Sequence, residues 1–323
     1  MAVQSVVEKA NSAPLPAIFH MKSVAHHYLV VLRPANLVMI LIGQSLTLYT
    51  VNPIGPISAK IVAYGPIILG TLLVAGAGYL INDHFDRISD QINANGALVI
   101  DQFSETSEVY RYYLVLNALA ILCGFFSAQS LNTLLLGFVL PCVALILFAY
   151  SRVKWFKLGV GAVLISICVS ATILLIPWME SVRRDNNLNQ ALPHLTWLGY
   201  NTIAFAAFWL NLMRELIKDL QDIKGDQNDN RPTLPIIMGT SRAKNLVIGL
   251  GLVASVILIY GFFSIYTLSY SLGIYMITLL TALLYFCHRT RNAHRAQDFK
   301  SLSLHLKYIM LQGTLALLWL NHL

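Results

Sequence analysis

This chain consists largely of apolar runs of about 20 residues, and these runs limit what it can fold into. About 20 apolar residues in a helix cross the roughly 30 Å hydrocarbon core of a bilayer. Hydrophobic residues make up 57% of the 323 residues and charged residues 11%, whereas about a quarter of an average soluble domain is charged. We therefore predict an all-α polytopic membrane protein. The predicted spans are residues 33–50, 61–81, 113–130, 131–150, 158–177, 196–213, 245–266, 267–287 and 303–321.

The hydropathy pattern defines the class of protein more closely than the number of spans. Only short polar interruptions divide 113–150 and 245–287 into two runs each. A range of about seven to ten spans is compatible with the hydropathy pattern, and nine is the number that we expect.

The distribution of lysine and arginine predicts the orientation. With nine spans, the loops on the N-terminal side carry most of these residues, and the opposite loops carry only Lys60, Arg183 and Arg184. By the positive-inside rule the crowded side is cytoplasmic. The net charge of +7 then follows from topology and anionic lipid head groups, and it indicates no nucleic-acid partner. We expect an integral protein of a bacterial inner (plasma) membrane.

Two stretches of the chain share one acidic spacing, and each follows an apolar run. Their carboxylates are Asp83, Asp86 and Asp90 in the first stretch and Asp219, Asp222 and Asp226 in the second. On a helix, offsets of i, i+3 and i+7 place three side chains within about 60° of one another. Such a face repels itself unless cations bind. The pattern predicts a paired divalent-metal site at the cytoplasmic end of the spans.

The positions of the two motifs also suggest an internal duplication. We expect a single transmembrane domain over 32–323, with halves at about 32–157 and 158–302 around a central cavity and a ninth helix at 303–321. A pseudo-twofold relation would turn the acidic triplets towards each other. Residues 1–31 are expected to form a cytoplasmic or interfacial N-terminal segment.

The chemistry of such a site favours a diphosphate. Mg²⁺ prefers oxygen ligands and often binds one or two carboxylates together with substrate phosphates. Charge on a departing pyrophosphate is stabilised by metal ions and by nearby cations. An apolar tunnel between helices suits a hydrocarbon tail, so a prenyl diphosphate fits both parts. The candidate cations for the diphosphate are Lys154, Arg214, Lys218 and Arg231.

The motifs resemble those of a known family. Asn82-Asp83-x-x-Asp86-x-x-x-Asp90 resembles the NDxxDxxxD signature of the UbiA superfamily of intramembrane prenyltransferases, and the second stretch resembles its DxxDxxxD signature. The lead-in Arg214-Glu215-Leu216-Ile217-Lys218-Asp219 is most similar to the geranylgeranylglycerol-phosphate branch. Order, length and the expected number of spans also match.

This resemblance implies a Mg²⁺-dependent prenyltransferase whose active site faces the cytoplasm. The isoprenyl diphosphate would ionise to an allylic cation, and the prenyl group would pass to an aromatic or a glycerol-phosphate-type acceptor. The resemblance assigns the metal to Asn82, Asp83, Asp86, Asp90, Asp219, Asp222 and Asp226. Asp86, Asp90, Asp222 and Asp226 would carry catalysis, and Lys154, Arg214, Lys218 and Arg231 would bind substrate.

One departure from the family pattern concerns the segment after the first motif. Residues 91–101 lack the proline and the basic residue that the family usually has there. This leaves a catalytically degenerate relative as one alternative. A cation-coupled transporter is another, but it would need carboxylates near the middle of the bilayer, whereas the acidic residues here cluster at helix ends.

Overall fold

The structure is a computed structural model that describes residues 29–51, 56–94, 106–153, 158–188, 192–265 and 270–322. Lys154 and most of the expected N-terminal segment lie outside these residues. Within them every regular element is a helix. The α-helices are α1 (Pro34–Val51), α2 (Ile57–Phe85), α3 (Arg87–Ala94), α4 (Thr106–Ser130), α5 (Val139–Arg152), α6 (Val160–Leu188), α7 (His194–Asn228), α8 (Leu234–Met238), α9 (Thr240–Ile265), α10 (Tyr270–Arg291) and α11 (Ala296–Leu315). Short 3₁₀ helices occupy Leu134–Phe138 and Ala316–His322.

Seven helices of the described part of the chain are long and apolar enough to cross a membrane. They include α1, α2, α4, α6, α9 and α10, and the seventh joins the first 3₁₀ helix to α5. The predicted spans 196–213 and 303–321 fall on α7 and α11, which are not apolar enough to be counted with the seven. The all-α membrane class is confirmed, and the expected number of nine spans is not.

The helix that carries the second acidic motif is longer than its predicted span. The predicted span ended at residue 213, whereas α7 continues to Asn228. The apolar run ends near residue 213, but no proline follows until Pro232, so the polar residues continue the helix beyond the apolar segment.

Close helix packing fixes where α2 runs. A Cβ atom added at Gly70 would lie 2.9 Å from the carbonyl oxygen of Ala120 and 2.7 Å from Leu140 Cδ1. A small residue is therefore required where α2 meets α4 and α5, as is typical of membrane helix interfaces. Ile67 and Ile81 of the same helix have no exposed surface. Packing of this kind holds the end of α2, which carries the first motif, in a fixed position.

A buried ionic cluster ties the helices together at the end of α2 away from the motif. Glu180 of α6 has no exposed surface. It accepts hydrogen bonds from Tyr64 of α2, from Arg183 Nε and Nη2, both at 2.7 Å, and from Arg184 Nε at 2.8 Å. Arg184 also donates to the carbonyl oxygen of Val51 on α1 at 3.1 Å. One carboxylate therefore links α1, α2 and α6.

We expect Glu180→Ala to destabilise the protein although Glu180 lies far from the acidic motifs. Removing one partner of a buried ion pair leaves the others unpaired and costs on the order of 3 kcal/mol. Thermal unfolding in detergent should show a Tm several degrees lower, and Glu108→Gln on α4 is the control for loss of a carboxylate. An unchanged Tm for Glu180→Ala would contradict this role.

Candidate active site

The first acidic motif keeps a helical path although α2 ends within it. The amide of Asp86 donates to Asn82 O at 2.8 Å, and the amide of Asp90 donates to Asp86 O at 2.9 Å. Helical spacing therefore continues from α2 into α3. The second motif lies within α7 without interruption, so the predicted placement of Asp219, Asp222 and Asp226 on one helix face is confirmed.

Direct hydrogen bonds hold the two motifs against each other. Ser89 Oγ donates to Asp226 Oδ1 at 3.0 Å. The side chain of Asn93 bridges to α7 twice, since its Nδ2 donates to Asp222 O at 3.2 Å and its Oδ1 accepts from the amide of Gly225 at 2.9 Å. The amide of Gly225 and Asn93 are 132 residues apart in the chain. Residue 93 belongs to the segment that departs from the family pattern, and sequence reasoning gave it no role.

Gly225 makes this approach of α3 to α7 possible. A Cβ atom at this position would lie 2.3 Å from Ser89 O and 2.4 Å from Asn93 Nδ2, which is closer than atoms can pack. The glycine within the second motif therefore serves the contact between the motifs.

Arg33 is a site residue that sequence reasoning missed. It forms an ion pair with Asp83, and its guanidinium lies 5.1 Å from the centre of the Tyr79 ring. Its φ of 53° is in the left-handed region, which is uncommon for a residue other than glycine. The sequence gives no local sign of this pairing, because the carboxylate that Arg33 binds is 50 residues away in the chain.

Arg231 is hydrogen-bonded to the first motif. It donates to Asp86 Oδ1 at 2.6 Å, to Phe85 O at 3.1 Å and to Asp229 Oδ2 at 2.6 Å. The resemblance implied a contact with diphosphate, but Arg231 is buried and lines none of the cavities described below. In this arrangement it orients Asp86.

The other two predicted cations lie on α7 and face cavities. Arg214 Nη1 donates to Glu215 Oε1 at 2.6 Å. Lys218 lies beside Asp222. Burial and Arg33 lower the pKa of Lys218, but Asp222, Tyr150 and Glu215 raise it, and the net shift is upward. These neighbours therefore favour the charged form of this half-buried lysine.

The remaining carboxylates crowd one another. Burial raises the pKa of Asp90 to about 6, with a further contribution from Asp86 and against the effect of Lys218. Burial also raises the pKa of Asp226 to about 6, although the hydrogen bond from Ser89 lowers it. Burial raises the pKa of Asp222 as well. Such carboxylates gain from any cation that enters among them.

The donor set fits Mg²⁺ bound partly by substrate. Asn82 Nδ2 donates to Asp86 Oδ2 at 2.8 Å, while Asn82 Oδ1 is buried and accepts no hydrogen bond from the described residues. Within the same residues, no three His, Cys, Asp or Glu side chains converge as a complete metal cage. Mg²⁺ usually takes one or two carboxylates and completes its shell with water and phosphate oxygens, so an orphaned amide oxygen beside carboxylates is a suitable partial site. Asp219 lies half-buried on the same helix as Asp222.

Two cavities meet at Lys218 and Arg33. The outer one, of about 1020 Å³, is bounded by Asp90, Asn93 and Asp222 of the motif helices and by the start of α11. The inner one, of about 130 Å³, lies between α2, α5, α6 and α7 and is largely apolar. Lys218 and Arg33 line both. A ligand with a charged head and an apolar tail would fit this arrangement.

Comparison with known proteins agrees with this geometry. Residues 36–311 match the model of the UbiA prenyltransferase family. A digeranylgeranylglyceryl phosphate synthase from Methanosphaera stadtmanae is 28% identical over 87% of this chain and 93% of its own length. A UbiA homologue from Aeropyrum pernix K1 has a TM-score of 0.63 at 14% identity, over 87% of this chain and 98% of that one. A homologue from Archaeoglobus fulgidus bound to GPP and Mg²⁺ has a TM-score of 0.55 at 17% identity, over 90% of this chain and 99% of that one.

The solved structures share the fold, and the family match covers most of the chain. The expected resemblance is confirmed, and with it the class of enzyme. The protein belongs to the UbiA family of prenyltransferases and is an integral membrane enzyme.

Proposed function

We propose that this enzyme transfers a prenyl group from an isoprenyl diphosphate to a hydroxyl group of a glycerol-phosphate-type lipid, with Mg²⁺ as cofactor. The observation that carries the proposal is the contact between the two acidic motifs through Ser89, Asn93 and Gly225. It creates one site from two helices, beside a cavity for a hydrocarbon chain.

The roles of the residues follow from their positions. Asn82, Asp86 and Asp90, with Asp83, would hold one Mg²⁺, and Asp222 and Asp226, with Asp219, would hold another. The bound ions would neutralise charge on the diphosphate as it departs. Lys218 would donate to diphosphate oxygens, and Arg231 would keep Asp86 in place.

The reaction itself exchanges one carbon–oxygen bond for another. The bond between the allylic carbon and the diphosphate oxygen breaks, and its electron pair leaves with pyrophosphate. The acceptor hydroxyl oxygen then bonds to the allylic carbon and gives up its proton to water. Apolar side chains of the inner cavity, such as Val74, Leu147 and Val169, would exclude water from the cation before transfer.

The choice of acceptor is supported by the comparisons. Relatives from Methanosphaera stadtmanae and Korarchaeum cryptofilum carry the name digeranylgeranylglyceryl phosphate synthase, and the second is 28% identical over 90% of this chain. The Arg214–Asp219 lead-in had suggested the same branch. An aromatic acceptor is the competing class.

The location of the site belongs to the same proposal. We infer from the distribution of lysine and arginine that both motifs face the cytoplasm and that halves 32–157 and 158–302 form one domain. The relatives named here are archaeal and lend no support to the expected bacterial host.

Asp86→Asn and Asp222→Asn should each reduce turnover by at least about 100-fold, because each removes a charge at the centre of electrostatic stabilisation. The measurement is product formation from radiolabelled geranylgeranyl diphosphate with a single-chain glycerol phosphate lipid, and aromatic acceptors as parallel arms. Glu108→Gln should retain activity. Near-normal turnover in either aspartate variant would remove the two-metal proposal, and wild-type protein that binds diphosphate with Mg²⁺ but forms no product would indicate a degenerate relative.

Asn93→Ala should lower turnover and weaken apparent Mg²⁺ affinity together, because the hydrogen bonds from Asn93 set the distance between the motifs. Asn228→Ala is the matched control, since that side chain donates to Lys224 O within its own helix at 2.8 Å and to no other residue in the part of the chain that the structure describes. Mg²⁺ titration of initial rates distinguishes the two variants. Equal Mg²⁺ dependence in both would mean that Asn93 does not set the site.

Lys218→Ala should raise the KM for the diphosphate more than the KM for the acceptor, because Lys218 lies beside Asp222 where the charged head of the donor would be bound. The two constants are obtained by varying each substrate at saturation of the other. An unchanged KM for the diphosphate would refute this role.

A further inference from the structure

A third cavity, which we call the side chamber, opens beside the inner cavity between α1, α6, α7 and α11. Its volume is about 90 Å³. It shares Tyr79, Asn211 and Arg214 with the inner cavity, so the two are neighbours. Most of its wall is apolar and includes Met39, Ile40, Ile173, Val169, Met310 and Leu311.

Lys307 is one of two charged residues in the described part of this wall, the other being Arg214. Lys307 lies eleven positions after Ala296, the first residue of α11, and four residues inside the predicted span 303–321, which is about 6 Å along the helix. A lysine within such a segment is uncommon and usually has a functional reason. Among the described residues it has no hydrogen-bond or ion-pair partner. Its charged neighbours include Arg214, Arg33 and Lys218, all of the same sign, and Glu215.

The carboxylates nearby are already bound to other cations. Glu215 accepts from Arg214 at 2.6 Å, and Asp83 pairs with Arg33. Lys307 therefore faces a surplus of positive charge. An anion that entered the chamber would relieve this repulsion.

A second donor points to the same conclusion. Arg214 Nε is buried and has no acceptor among the described residues, although its Nη1 is engaged with Glu215. A buried charged donor without an acceptor is uncommon, because its desolvation is not compensated. Arg214 and Lys307 both line the side chamber.

No carboxylate of the described residues lines the side chamber, in contrast to the motif side of the site, where Asp90 and Asp222 line the outer cavity. The motif side therefore suits an anion that arrives with metal ions. The side chamber suits an anion that arrives without them. Arg214 is bound to Glu215 through Nη1, but its Nε and the ammonium group of Lys307 both remain as donors for an anion, and a phosphate has enough oxygens to accept from both.

We propose that Lys307 and Arg214 Nε bind the phosphate of the acceptor lipid in the side chamber. This deepens the proposed function and rests on it. The acceptor would approach from the side of α1 and α11, and its hydroxyl would face the inner cavity. The two substrates would then use separate anion sites, one with metal and one without.

The test compares Lys307→Gln and Lys307→Arg with Arg242→Gln, which removes an exposed charge outside the three cavities. With a single-chain glycerol phosphate ether lipid, Lys307→Gln should raise the acceptor KM by about tenfold or more, as expected for the loss of a charge-assisted bond. In Lys307→Gln the KM for the prenyl diphosphate should stay within about twofold of the wild-type value. Lys307→Arg should restore much of the affinity for the acceptor. The same lipid without its phosphate should be used equally well by wild type and Lys307→Gln.

A binding measurement separates failure of this inference from failure of the proposed function. The phosphate lipid is titrated into purified protein in detergent, without prenyl diphosphate, and bound lipid is followed by native mass spectrometry. Tighter binding by wild type than by Lys307→Gln would support the site even if no acceptor were turned over. Equal binding by both proteins, a change confined to the KM for the diphosphate, or the same Lys307 dependence for an aromatic carboxylate would overturn it.

Discussion

The close contact between α3 and α7 is the interaction on which the active site depends. Asn93 Nδ2 donates to the carbonyl oxygen of Asp222, and Asn93 Oδ1 accepts from the amide of Gly225, so both ends of this side-chain amide bond to the backbone of α7. Ser89 Oγ also donates to Asp226 on the same helix. The contact is possible only because residue 225 has no side chain. It joins parts of the chain that are 129 to 137 positions apart, so the two motifs form a site only once the helix bundle has assembled around them.

The electrostatics of the site follow from that contact. Burial, with a smaller contribution from the neighbouring carboxylates, raises the pKa of Asp90 and Asp226, and the crowded carboxylates would destabilise the fold if nothing balanced their charge. Arg33 and Arg231 balance part of the charge of the first motif by pairing with Asp83 and Asp86, and cations that the substrate brings would balance the rest. The arginines thus limit the repulsion without filling the site.

The motif side of the site and the side chamber differ in the charge of the residues that line them. Carboxylates lie on the motif side, while Lys307 and Arg214 lie in an apolar chamber without acidic residues among its described lining. At the opposite end of α2, Glu180 ties α1, α2 and α6 together. In a membrane, where apolar contacts between helices gain little over contacts with lipid, such polar ties and small residues such as Gly70 position the helices.

The sequence by itself determined the membrane class, both acidic motifs, the expectation that they face each other, and the resemblance to a prenyltransferase family. These depend on hydropathy and on spacing within single helices, which are local properties. Only the tertiary structure decided that Arg33 pairs with Asp83 and that Asn93 bridges to Gly225. The sequence likewise did not predict that Arg231 binds Asp86 or that Lys307 and Arg214 line one cavity. Each depends on which helices pack together, and the partners lie far apart in the chain, where no sequence period connects them.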